Sequence, residues 1–108
     1  MAPAVSTEKI RALNDAFRTT LTGGKVLLTT GVNALPSNVK AMVIRCVATF
    51  SKFNEENDPH GEHDFGNFAL AGRKFYFKID LYEEPEVKGA DGQPVTTRVL
   101  TIMLAEEW

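Results

Sequence analysis

The sequence has little cysteine, no long apolar run and no excess of basic residues. Cys46 is its single cysteine. An intrachain disulfide is therefore excluded, which fits a reducing compartment. No apolar run reaches the length of about 18 residues that suggests a membrane-spanning helix. Residues 1–5 have neither the basic start nor the apolar stretch of a secretory signal. We expect a cytoplasmic protein that does not bind membranes.

The charge balance and the length narrow the class of protein further. Twelve Lys and Arg stand against 14 Asp and Glu, so the formal net charge is −2. This balance argues against a broad phosphate-binding surface, and we do not expect nucleic acid as a partner. A length of 108 residues with 44% hydrophobic residues suits one folded domain. We expect that domain to cover residues 1–108, with residues 1–5 as a loose leader.

Two stretches have the spacing of amphipathic helices. The first follows Ser6, a suitable N-cap, and ends before the glycine pair at 23–24. Its apolar residues recur at helical spacing: Ile10, Leu13, Phe17 and Leu21. Polar residues fall between them: Arg11, Asn14, Asp15 and Arg18. The second begins near Pro36. It carries one apolar stripe that ends towards Phe53: Val39, Met42, Val43, Cys46, Val47 and Phe50.

Strand patterns occupy most of the remaining chain. Residues 25–30 form a short apolar segment with β-branched side chains, which predicts a strand. Residues 67–70 begin a predicted hairpin that turns at residues 71–73. Residues 74–82 and 96–105 alternate between apolar and polar side chains, as half-buried strands do. Residues 83–95 contain prolines and glycines and are predicted to be a polar loop. The order α-β-α-β-β-β predicts an α+β fold, with two helices on one face of a mostly antiparallel sheet of three to four strands.

Both histidines lie in the segment Asn57-Asp58-Pro59-His60-Gly61-Glu62-His63-Asp64-Phe65-Gly66. His60, His63 and Asp64 are the candidate ligands of a divalent transition metal, because two imidazoles and a carboxylate suit zinc or iron. No zinc signature is present, and Pro59 and Gly61 disfavour a helical His-x-x-His arrangement. The same residue types also build sharp turns, so we favour a role in fixing the fold or in binding a partner over a role in binding metal.

An acid–base site is a second interpretation of the same segment. His63 with Asp64 or Asp80 is the candidate proton-transfer pair. Tyr76 or Tyr82 would donate a hydrogen bond nearby. No serine or cysteine lies in a nucleophile motif. The enzyme class therefore depends on these candidates alone, and we favour a non-enzymatic protein.

A protein-contact surface is the third interpretation. Acidic residues crowd around the histidines, where they could pair with Arg or Lys of a partner. The residues expected to make this contact come from the loop and the adjacent strand face: Glu55, Glu56, Asp58, His60, Glu62, His63, Asp64, Tyr76, Lys78 and Tyr82. Self-association remains open, and an acidic surface of this kind could also imitate the phosphates of a nucleic acid.

The sequence resembles a small family of alphaproteobacterial proteins that are described only as a domain of unknown function. The resemblance covers residues 10–108. It is carried by the segment NDPHGEHDFG at 57–66 and by four further blocks: IRALNDAF at 10–17, FNE at 53–55, FKID at 77–80 with Tyr82, and TRVLTIMLAEE at 97–107. It implies no reaction and no ligand.

The resemblance implies a biological setting, because members of this family are often associated with plasmids or phages near genes for conjugation and antirestriction. We therefore expect a small accessory protein of a mobile element that binds a protein partner. One concrete form is an inhibitor of a host defence system that acts through the acidic, histidine-containing loop. The alternative is a metal-dependent or acid–base enzyme centred on His60 and His63.

Overall fold

A computed structural model describes residues 6–92 and 94–108, with the backbone alone for 85–88 and 94. In chain order its elements are α1 Thr7–Thr20, β1 Gly24–Leu28, α2 Thr30–Asn33, α3 Ser37–Thr49, β2 Phe65–Leu70, β3 Arg73–Lys88 and β4 Pro94–Leu104, followed by a 3₁₀ turn at Ala105–Glu107. The predicted α+β class and element order are confirmed, with α2 as an added short helix. The leader expected at residues 1–5 lies outside the described residues.

The ends of α1 show how local sequence sets a helix. Ser6 is its N-cap, and the Ser6 Oγ accepts a hydrogen bond of 3.2 Å from the Lys9 N–H. The helix ends at Leu21, which takes a left-handed conformation with φ 58°. Its N–H donates to the Phe17 carbonyl at 2.6 Å. A glycine usually fills such a position, and the glycine pair at 23–24 follows just after it.

Four strands form one sheet in the order β1-β4-β3-β2. The pairs β2–β3 and β3–β4 are antiparallel, while β1 runs parallel to β4. The sheet is therefore mostly antiparallel, as predicted. The parallel pair arises because the chain leaves β1 through the helices and returns to β4 only after completing β2 and β3.

The core lies between one face of the sheet and the helices. Alternate residues of the two central strands point into it, as the period of two predicts: Phe75, Phe77, Ile79, Leu100, Ile102 and Leu104. The helices add Phe17, Val32, Val43 and Val47. Met42, expected in the apolar stripe of α3, is instead largely exposed. The helical layer thus covers one face of the sheet only.

The loop predicted at residues 83–95 is instead a continuation of the β3–β4 hairpin. Glu83 lies opposite Thr96 and Glu84 opposite Val95, with an irregularity between Glu84 and Lys88. Prolines and glycines locally favour a turn, but cross-strand pairing decides the conformation here. A two-stranded ribbon leaves alternate N–H groups without a strand partner, so it can accommodate proline.

Glu107 ties the end of β4 to the start of α2. Its Oε1 accepts hydrogen bonds from the Thr29 hydroxyl at 2.6 Å and from the Leu104 N–H at 2.9 Å, and its Oε2 accepts from the Gly31 N–H at 2.9 Å. A Cβ added at Gly31 would lie 2.8 Å from Glu107 Oε1, so a side chain there would displace the Glu107 carboxylate. The bond from Thr29, followed by those from Leu104 and Gly31, lowers the pKa of Glu107.

We expect Glu107→Gln to destabilise the protein at neutral pH and to have little effect in acid. A lowered folded-state pKa gives stability that is present above the unfolded-state pKa and is lost as the pH falls through the folded-state value. Urea unfolding at about pH 7 and about pH 3 measures the difference. Glu106→Gln is the control, because Glu106 is an exposed carboxylate that pairs with Arg73. A Glu107→Gln effect of equal size at both pH values would contradict this assignment.

Candidate functional site

One side of α1 is polar and lies against the loop of residues 58–64. Arg11, Asn14, Asp15 and Arg18 follow one another at helical spacing and therefore share a side of the helix. Asn14 is only 4% exposed and Arg18 only 3%, whereas Leu13 is 44% exposed. The predicted apolar stripe is therefore wrong at Leu13. The polar side of α1 is a packing surface.

Two residues of this polar side hold the backbone of the loop. The Arg11 Nε donates to the Gly61 carbonyl at 2.5 Å, and the Asn14 Nδ2 donates to the Glu62 carbonyl at 3.0 Å. The Oδ1 of Asn14 accepts from the Arg98 Nε at 2.8 Å. Asn14 therefore joins α1, the loop and β4, and both the nitrogen and the oxygen of its buried amide are hydrogen-bonded.

His63 lies at the centre of these contacts. Its Nδ1 is 3.0 Å from both carboxylate oxygens of Asp15, and its Nε2 is 3.6 Å from the Asp58 Oδ2. Its backbone N–H donates to the Asp58 Oδ1 at 3.0 Å. The ring stacks on Phe53 with centroids 3.8 Å apart and planes 4° apart. Both ring nitrogens thus face carboxylates, and one ring face is covered.

Arg18 supplies the positive charge beside Asp15. Its Nη2 donates to the Asp15 Oδ1 at 3.0 Å, and its Nη1 donates to the carbonyls of Val47 at 2.8 Å and Phe50 at 2.9 Å. Those carbonyls lie at the C-terminal end of α3, where the Val47 carbonyl also accepts from the Phe50 N–H and where the helix dipole favours a cation. We call Asp15, Arg18, Phe53, Asp58 and His63 the His63 cluster.

The segment before Asp58 is held by its own asparagines. The Asn54 Oδ1 accepts from the N–H groups of Glu56 at 2.9 Å and Asn57 at 3.0 Å. The Asn57 Oδ1 accepts from the Asn54 N–H at 2.9 Å, and its Nδ2 donates to the Lys52 carbonyl at 3.0 Å. Such side-chain turns fix the backbone locally. They present Glu55 and Glu56 at the surface.

The structure divides the residues that the sequence singled out. Asp58 and His63 belong to the His63 cluster, whereas His60 is exposed. Asp64, Asp80 and Glu62 line one cleft of about 240 Å³, and Asp80 has the Lys78 Nζ at 3.3 Å. His63 therefore pairs with Asp15 and Asp58 in place of the expected Asp64 or Asp80.

Sequence analysis missed Asp15 as the partner of His63, because 48 residues separate the two. The polar side of α1, to which Asp15 belongs, was the sequence feature that could have indicated this contact. In the part of the chain that the structure describes, no group of three or more His, Cys, Asp and Glu side chains is arranged to hold a metal ion.

A second feature lies on the sheet face that the helices leave uncovered. Phe65, Tyr76 and Trp108 pack edge to face or tilted, with ring centroids 5.2 to 5.5 Å apart. We call these three residues the aromatic patch. Trp108 remains 67% exposed. By strand alternation Lys78 and Tyr82 lie on the same sheet face, so the predicted strand residues do share a surface.

The comparisons with known proteins give one finding. The model of a family described as "Protein of unknown function (DUF3768)" matches residues 28–107, which is well over half of the chain and includes the loop but not α1. No curated protein and no solved structure matches the chain. None of the described helices is both long enough and apolar enough to cross a membrane.

We expect His63→Ala to lower the free energy of unfolding by about 2 kcal/mol, because it removes the ring that faces Asp15 and the buried Asp58 carboxylate, which then keeps the backbone N–H of residue 63. His63 has φ 54°, a left-handed value that glycine adopts more easily. His63→Gly should therefore be less harmful than His63→Ala by about 1 kcal/mol. Urea unfolding measures both.

His60→Ala is the matched control and should stay within about 0.5 kcal/mol of the wild type, since His60 is exposed. Equal stability of His60→Ala and His63→Ala would contradict the role given to the His63 cluster.

Proposed function

Because the chain belongs to this family of proteins of unknown function, its role must be argued from its own residues, and we propose that it is a non-enzymatic accessory protein that binds a protein partner. One observation carries the proposal. The histidine and carboxylates best placed for chemistry, His63, Asp15 and Asp58, are engaged with one another, while acidic and aromatic side chains without such partners share one surface.

The acidic part of this surface is Glu55 and Glu56. Both are exposed, and among the described residues neither carboxylate has an ion pair or a hydrogen bond. The backbone that carries them is fixed by Asn54 and Asn57. A fixed loop loses less conformational entropy on binding than a mobile one, so its carboxylates are better placed for a partner.

The aromatic patch adjoins these carboxylates. Glu56 and Phe65 line the same cavity of about 390 Å³, and Phe65 contacts Tyr76 and Trp108. Exposed tryptophan and tyrosine are typical of the residues that dominate protein interfaces. The partner that fits is a protein surface with Arg or Lys opposite Glu55 and Glu56, and with an apolar or cationic group for the Trp108 ring.

The biological form that we propose is an inhibitor of a host defence system, carried by a plasmid or phage and acting in the cytoplasm. This form rests on the resemblance to alphaproteobacterial proteins of mobile elements and on the acidic loop. A defence protein that binds nucleic acid has a basic groove, and the carboxylates of the acidic loop would pair with that groove.

We expect Glu55→Lys/Glu56→Lys to abolish partner capture while the stability stays within about 0.5 kcal/mol of the wild type. Capture is measured by cross-linking in a host cell, followed by purification of the tagged chain and mass spectrometry. Glu83→Lys is the matched control, because Glu83 is an exposed carboxylate on β3 outside the proposed surface. Capture of the same protein by wild type and double variant alike would overturn the contact.

The same three proteins test the anti-defence form. When the wild type is expressed in a restricting host, uptake of an unmodified plasmid should rise, and Glu83→Lys should act like the wild type. The double variant should give no rise. If uptake does not change with the wild type, the anti-defence form is wrong, whatever the result for partner capture.

An enzyme centred on His60 and His63 is the competing proposal. The imidazole of His63 between two carboxylates supports it, since acid–base sites use such pairs. Elemental analysis of untagged protein purified without chelator separates the two. Under the binding proposal we expect no stoichiometric transition metal. A metal present in the wild type and lost in His60→Ala/His63→Ala would favour the metal-dependent enzyme.

A further inference from the structure

Strand β2 lies at the edge of the sheet, with β3 as its one strand neighbour. The Ile79 N–H donates to the Asp64 carbonyl at 2.8 Å. Because Phe65 pairs with Lys78, Asp64 and Ile79 lie directly opposite each other and form a hydrogen-bonded pair. Hydrogen-bonded pairs alternate along an antiparallel ladder. The backbone groups of residues 66, 68 and 70 therefore face β3, and those of Phe65, Asn67 and Ala69 face away from it.

The outward backbone groups have no partner among the described residues. No hydrogen bond within the described ranges involves the N–H or the carbonyl of Phe65, Asn67 or Ala69 on their open side. These residues are spaced by two positions, about 7 Å apart, which is the repeat of an added strand. An unpaired edge of this kind is a template for an extended chain.

A groove runs along this open edge. Two adjoining cavities of about 390 and 460 Å³ share Phe50, Lys52 and Asn67. One wall is β2, and the other is the end of α3 with the segment that follows it. Phe50 is held close to the strand, since a Cβ added at Gly66 would lie 2.8 Å from its ring. Phe50 and Phe68 give the groove an apolar lining.

The charge of the cavity of about 460 Å³ selects the occupant. Lys52 lines both cavities, is exposed, and has no ion pair in the described part of the chain. Within the described ranges it is the one charged residue that lines the cavity of about 460 Å³, whereas Glu56 also lines the cavity of about 390 Å³. The other edge strand, β1, also has three outward residues, because the Thr29 N–H donates to the Ile102 carbonyl and so leaves Gly24, Val26 and Leu28 facing away from β4. Strand β2 therefore combines three open positions with a groove that has an aromatic wall and, in the cavity of about 460 Å³, a lysine without an ion pair among the described residues.

We propose that β2 accepts an extended segment of a partner protein as a fifth strand of the sheet. The segment pairs its backbone with Phe65, Asn67 and Ala69. It places an apolar side chain against Phe50 and Phe68 and an acidic side chain beside Lys52. This site adjoins the proposed contact at Glu55, Glu56 and the aromatic patch, since Glu56 and Lys52 both line the cavity of about 390 Å³. It goes beyond that contact because it recognises backbone, and an acidic group in the cavity of about 460 Å³, where that contact recognises basic groups.

The probe is a displayed library of random dodecapeptides, selected against the full chain. Selected peptides should alternate apolar residues and carry Asp or Glu. Fluorescence anisotropy then measures the affinity of one selected peptide and of its singly N-methylated forms. Methylation at every second position should weaken binding about five- to tenfold, and methylation at the intervening positions should have little effect. A period of two is specific to strand addition, and this measurement uses the unaltered protein.

Two variants test whether the peptide binds along β2. Lys52→Glu should weaken binding about tenfold or more, whereas Lys9→Glu, at an exposed lysine of α1, should leave it unchanged. Ala69→Pro removes one outward N–H and should also weaken binding, with its thermal midpoint as the folding check, since an edge strand tolerates proline there.

Three results would overturn the proposal: no enrichment in the selection, an N-methyl pattern without the period of two, or unchanged binding by both Lys52→Glu and Ala69→Pro. Glu55→Lys should bind the peptide like the wild type, so failure of this site is distinguishable from failure of the proposed function.

Discussion

The contact between Asp15 and His63 is the interaction on which the surfaces of this molecule depend. It joins the polar side of α1 to a loop 48 residues away. Buried charged groups are tolerated only when each has its partners. Here Asp15 faces both Arg18 and His63, and Asp58, 5% exposed, binds the backbone and faces the ring of His63. Loss of the His63 ring would leave Asp15 with Arg18 alone and Asp58 with the backbone N–H alone, so each carboxylate would keep only part of its contacts.

The position of the groove follows from the same cluster. His63 stacks on Phe53, Phe53 packs edge to face on Phe50, and Phe50 packs in turn on Phe77 in the core. Phe50 is also the residue that approaches Gly66 at the start of β2. The wall of the groove is thus supported from the His63 cluster through two aromatic rings. Preorganised walls of this kind reduce the entropy lost on binding.

Sequence periodicity predicted the layers of the fold but not how α1 is attached. The period of two in β3 and β4 predicts the core residues of the sheet, and the helical period of α3 predicts Val43 and Val47 but wrongly includes Met42. In α1 the buried side includes Asn14 and Arg18, so hydrophobicity placed Leu13 inside when it is outside. The hairpin beyond Tyr82 was missed for a similar reason. Its composition favours a turn, and only pairing with β4 makes it a strand.

The pairing of His63 with Asp15 could not be predicted from local sequence, because a side chain that meets a partner 48 residues away leaves no pattern near itself. The polar row on α1 is the nearest to a signal, and its meaning depends on the loop that it meets. An apolar contact between helix and loop would tolerate small slips. Arg11 and Asn14 bind the successive carbonyls of Gly61 and Glu62. These contacts do not tolerate a slip of the loop, because a hydrogen bond needs defined distances and angles. We infer that polar packing of α1 fixes one register of the loop, and with it the placement of Glu55, Glu56 and the edge of β2.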